Sequence, residues 1–144
     1  PPFLPALAAF EWLQMEALMT DRRLPRPTLT AETLAQTAPE TLCFALNPSV
    51  RLHTSAWNVD KLHSLKAKSS KRTVRLVLYK GPEGLSNVRL TDQEMRLLEF
   101  LKSRTEFTAV LGWVEENQFP PEKLQECIRQ WTTWGILYGF TSAP

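Results

Sequence analysis

A chain of 144 residues, 43% of them hydrophobic, suits one compact domain or one domain plus part of another, and argues against disorder over most of its length. Its 17 basic and 15 acidic residues leave a net charge of +2, so no overall field draws in nucleic acid or membrane, and basic character matters only where it is local. No run approaches bilayer-spanning length, the start has no basic signal-peptide region, and Pro stands where an initiator Met would, so a fragment or processed chain is expected.

Ala6 to Met19 is rich in strong helix formers behind Pro5. Leu4, Ala8, Trp12, Met15 and Met19 make one wide stripe, which Leu7, Phe10 and Leu18 broaden, so a helix packed on more than one side is expected. Glu11 and Glu16 are too far apart around the axis to converge as a metal or acid/base pair. Thr20 to Pro39 reads as a connector with three prolines, one short helix behind Thr30 and solvated Arg22, Arg23 and Arg26.

Two strand pieces follow, Cys43 to Leu46 and Val50 to Thr54, joined by a kink at Asn47-Pro48. Lys61, Lys66, Lys68, Lys71 and Arg72 form a basic segment, read as a solvated loop. Thr73 to Tyr79 is a β-branched strand that the turn chemistry of KGPEGLS returns into Asn87 to Leu90. Thr91-Asp92-Gln93-Glu94 is a capping box for a helix facing inward through Met95, Leu98 and Leu101. A second helix runs from about Glu106 with Phe107, Val110, Leu111 and Val114 on one face. Pro120-Pro121 opens a third, which carries Leu124, Cys127, Ile128 and Trp131 and ends at Gly135, before Ile136 to Phe140 returns along the sheet. The expected fold is α+β: an N-terminal helix packed on a C-terminal winged-helix domain, with residues 1–39 as helix and connector and 40–144 as the winged-helix domain.

No chemistry-bearing constellation stands out. His53 and His63, the two histidines, have no Ser or Cys at a relay spacing. Gly81 to Gly84 is a turn without the helix and Lys of a phosphate loop. Cys43 and Cys127 match no metal-ligand spacing and fit free thiols in a reducing, cytoplasmic setting, with one bridge between them as the alternative. No catalytic residue, metal or cofactor is expected on this chain. A winged helix invites a DNA reading, yet the charges of the third helix, Lys123 and Arg129 against Glu122 and Glu126, cancel, whereas phosphate contact needs a positive surplus. DNA binding is disfavoured, and a winged-helix transcriptional regulator remains the alternative. The same shape can instead leave the last hairpin strand as an edge to which an extended peptide adds. The positions expected to bind it are Ser86, Asn87, Val88, Arg89, Leu90 and Thr91 on that strand, with Lys123, Cys127, Ile128 and Arg129 on the third helix.

PFLPALAAFEW followed by MEA, LNPSVRLHTSAWNV, VRLVLYKG, VRLTDQEMRLLEFL and the closing WGIL together resemble the C-terminal two-thirds of the HvfC/BufC family, over essentially the whole chain. The most specific parts are Glu11-Trp12 with Glu16-Ala17, and the block Asn47 to Leu52; Met15 stands where many members carry His. The winged-helix half is similar to peptide-recognition elements of the PqqD-like type. The resemblance implies an accessory protein for ribosomally made, post-translationally modified peptides. Such a protein would bind the leader of a precursor peptide and present it to a TIM-barrel enzyme with several non-haem irons, which turns cysteines of the precursor into copper-binding groups.

Overall fold

A computed structural model describes residues 2–21, 28–62, 68–103 and 105–141. In chain order the elements are α1 (Leu4–Met19), α2 (Ala31–Gln36), β1 (Leu42–Leu46), β2 (Arg51–Ser55), β3 (Val74–Gly81), β4 (Gly84–Arg89), α3 (Asp92–Phe100), β5 (Thr105–Glu106), α4 (Phe107–Glu116), α5 (Pro121–Trp134) and β6 (Leu137–Thr141). The architecture is α+β, with an N-terminal helix and two small antiparallel sheets. The chain forms two compact units, Pro1–Asp21 with Ser49–Met95, and Arg22–Pro48 with Arg96–Pro144.

In the first unit α1 covers the sheet ordered β2–β3–β4. Phe10 packs with Val74, Leu76 and Leu78, alternate residues that share one face of β3, and Leu7 and Leu13 join them. The expected stripe points the other way: Leu4, Trp12, Met15 and Met19 are 48%, 62%, 54% and 80% exposed. At about 100° per residue, Phe10 and Ala17 lie on the opposite side of the axis from that stripe. Both faces of α1 are apolar, so periodicity could not choose between them. The β3–β4 hairpin is as expected but tighter, with Gly81 paired to Gly84 across a two-residue Pro82-Glu83 turn and Gly84 at φ 112°.

In the second unit the sheet runs β5–β1–β6. The closing strand β6 therefore does not return along the hairpin; it pairs with β1 from Leu42 opposite Thr141 to Leu46 opposite Leu137. Leu42, Cys43 and Phe44 are buried in succession, as are Gly139 and Phe140, so both strands are covered on both faces. On β4, by contrast, Asn87 and Arg89 are exposed, and it offers no such two-sided partner. The two strand pieces either side of Asn47-Pro48 belong to different sheets. Asn47, 1% exposed, donates from its backbone N–H to Ile136 O at 2.8 Å and from Nδ2 to Gly135 O at 3.0 Å.

The caps form as their residues dictate. The Thr91 N–H donates to Glu94 Oε1 at 2.8 Å and the Glu94 N–H to Thr91 Oγ1 at 3.2 Å. At α2 the box closes without an acid, the Thr30 N–H donating to Thr33 Oγ1 at 2.8 Å and the Thr33 N–H to Thr30 Oγ1 at 3.2 Å. Gly135, at φ 85°, ends α5 in the left-handed conformation. Leu124, Cys127 and Trp131 bury the inner face of α5, and Phe44 meets Phe107 at 5.7 Å between ring centroids.

Candidate functional site

The strand β4 is the end strand of its sheet, and hydrogen-bond alternation decides which of its groups face outward. The Leu90 N–H donates to Arg75 O at 2.8 Å, so the pairs two residues apart, Val88 with Val77, Ser86 with Tyr79 and Gly84 with Gly81, are the hydrogen-bonded ones. On the other side of β3 the Lys80 N–H donates to Ser49 Oγ at 2.8 Å, in phase with that assignment. Leu85, Asn87 and Arg89 consequently turn their backbone N–H and C=O toward the open edge, where no backbone partner meets them among the described residues. Asn87 and Arg89 are also exposed.

The positions expected to bind peptide thus separate into distinct roles. Leu90 and Thr91 lie past the end of β4, and their N–H groups are used by Arg75 O and by the α3 capping box. The Arg89 side chain is taken as well: Nε and Nη2 donate to Asp60 Oδ2 and Oδ1 at 2.7 and 3.0 Å. Burial pushes the Asp60 carboxyl upward, but the Arg89 hydrogen bonds and charge outweigh it and hold the group below the ordinary carboxylate range. What Arg89 offers at the edge is its backbone. On α5, Cys127 is 2% exposed and lies on the buried face of the helix with Leu124 and Trp131. Lys123 Nζ sits 5.7 Å over the Phe119 ring. Ser86 to Thr91 belongs to the first unit and the α5 positions to the second.

Ile128 and Arg129 take part in something that sequence reasoning missed. Within the second unit an open groove of 640 Å³ runs between α2 and α5 and is mostly apolar. Leu34 of α2, Leu42 and Phe44 of β1, Phe107 at the start of α4 and Ile128 make its walls. Glu32 stands on the α2 side, and Gln125 and Arg129 on the α5 side. The Thr132 hydroxyl, which also lines it, is committed to Ile128 O and Arg129 O at 2.7 and 3.0 Å. Leu34 is pressed against β6 at Gly139, where any Cβ would collide with it. The signal available in the sequence was Ile128, whose place beside Cys127 and Trp131 reads equally well as core.

Elsewhere in the first unit, Glu16 accepts from Trp12 Nε1 at 3.1 Å and pairs with Arg51 Nε at 3.4 Å, and Arg51 Nη2 donates to Thr20 Oγ1 at 3.1 Å. The His53 ring lies tilted against Phe10, 6.4 Å between centroids, and its buried Nε2 has no hydrogen-bond partner among the described residues; burial pulls its pKa below the usual value. Lys61, Lys68, Lys71 and Arg72 are exposed, whereas His63, Lys66 and the arginines 22, 23 and 26 lie outside the described residues. Among the described residues no three His, Cys, Asp or Glu side chains gather as a metal site, the buried Cys43 and Cys127 are not joined in a disulfide, and no helix is long and apolar enough to cross a membrane. No protein-family model matches the sequence, and no curated protein matches it.

Proposed function

We propose that this chain is a non-catalytic, cytoplasmic peptide-binding partner in the maturation of a ribosomally made peptide, taking the leader of the precursor as an added strand along β4. The observation that carries this reading is the open β4 edge, where Leu85, Asn87 and Arg89 direct outward main-chain groups that meet no backbone partner among the described residues, beside the exposed side chains of Asn87 and Arg89. Main-chain pairing of this kind binds extended peptide with little demand on its sequence, and alternate side chains supply the selection. The enzyme partner, a TIM-barrel protein with several non-haem irons that modifies precursor cysteines, enters from the resemblance of Glu11-Trp12, Glu16-Ala17 and the Asn47 to Leu52 block to the HvfC/BufC family. In support, those two blocks meet in the fold through the Glu16–Arg51 pair.

The test uses a fluorescein-labelled leader from a Cys-rich precursor encoded beside the gene, titrated by anisotropy with and without the partner enzyme. Asn87→Pro removes an N–H that no strand among the described residues uses, so it leaves stability within about 1 kcal/mol and weakens leader binding at least about tenfold. Val88→Pro, which deletes a ladder bond to β3, destabilises the sheet itself by about 1–3 kcal/mol. Unchanged affinity in Asn87→Pro, or no saturable signal with the wild-type protein, would sink the proposal.

A further inference from the structure

The groove of the second unit differs in character from the β4 edge: it offers side-chain shape in place of main-chain pairing. Its walls are the apolar faces of Leu34, Phe44, Phe107 and Ile128, and the Thr132 hydroxyl is occupied by the helix backbone, so its floor has little to offer a polar group. Its size is in the range that accepts a large side chain with its neighbours. Polarity enters at the rim. Gln125 and Arg129 are four residues apart on α5 and therefore share one face, and both are exposed. The Arg129 guanidinium has no ion-pair partner among the described residues, and neither has Glu32 across the groove. A guanidinium and a carboxamide side by side are donors matched to a carboxylate, while Glu32 repels one from the opposite wall.

We propose that this groove selects peptides by a large apolar side chain that fills it and an adjacent Asp or Glu that meets Arg129 and Gln125. The inference rests on the peptide-binding reading and names the sequence class that it selects. A second copy of the chain is the competing occupant.

Capped peptides acetyl-Gly-Leu-X-Gly-amide, with X as Asp, Asn or Lys, are titrated to millimolar concentration into isotope-labelled protein, and backbone amide shifts are followed. Shifts are expected at Leu34, Phe107, Ile128 and Arg129, with affinity falling in the order Asp, Asn, Lys. The step from Asp to Asn is about two- to fivefold, the worth of an exposed ion pair. Arg129→Gln removes the preference between Asp and Asn but leaves leucine binding, and Ala35→Trp, which fills the groove from α2, abolishes shifts for all three peptides. Equal affinity for Asp and Lys, or no shift at these amides, overturns the proposal. Concentration-dependent shifts at the same amides without peptide assign the groove to a second copy and also overturn it. Because β4 amides report separately, failure here with intact leader binding at Asn87 leaves the parent reading standing, and the reverse result isolates its failure.

Discussion

His53 carries a buried Nε2 with no hydrogen-bond partner among the described residues, and the cost of that arrangement depends on pH. The neutral ring packs on Phe10, and burial lowers its pKa from 6.5. The unfolded chain therefore takes up a proton there before the folded chain does, so stability is unaffected above about pH 6.5 and declines as the pH falls below it. Urea unfolding midpoints measured between about pH 7.5 and pH 5.5 should fall in the wild type and fall less in His53→Phe, which keeps the ring contact without the titration. Asp60 acts in a separate window. Its lowered pKa means that its contribution is intact above 3.8 and is lost as the pH drops through the lowered value. Arg89→Ala leaves that carboxylate, with a side chain 6% exposed, without its bidentate partner and should cost about 1–3 kcal/mol at neutral pH. Asp60→Asn combined with Arg89→Ala should recover part of the loss, and a double-mutant cycle by urea unfolding reads the difference. The Asp60–Arg89 pair was illegible in the sequence, because nothing local relates a residue in a turn to one 29 positions later on an edge strand.

At the scale of elements, the signals that came through were the local ones. The Thr91 and Glu94 box, the Pro121 start of α5, the Gly135 stop and the β3–β4 hairpin all form where their residues place them, because each is settled within a few positions of chain. The orientation of α1 was not legible, since both its faces carry apolar residues and only the strand it covers decides which is inside. That asymmetry is measurable. Phe10→Ala should cost about 3–5 kcal/mol in urea unfolding, because it opens a cavity over β3. Met19→Ser, at 80% exposure on the outer face, should change stability by less than about 0.5 kcal/mol.

At the scale of the molecule, the α+β class was legible and the strand pairing was not. Residues 42–46 and 137–141 are mostly apolar runs of equal length on either side of the hairpin, and their pairing spans about two thirds of the chain. No pattern of period two or 3.6 encodes a partner at that distance, so the hairpin next to the three helices looked like their sheet. The candidate site followed suit. Its β4 half and its α5 half fall in different units, and the α2–α5 groove depends on the placement of α2 against β6, a long-range contact that no local pattern encodes.

The two units are threaded through each other along the chain, first unit, second, first and second again. A piece running from 40 to 144 would keep β2, β3 and β4 but lose the helix that covers Leu76 and Leu78, and would keep β6 but lose Leu34 from above Gly139. Neither unit can be copied, swapped or passed to another gene by one recombination event. As heritable parts they are a single piece.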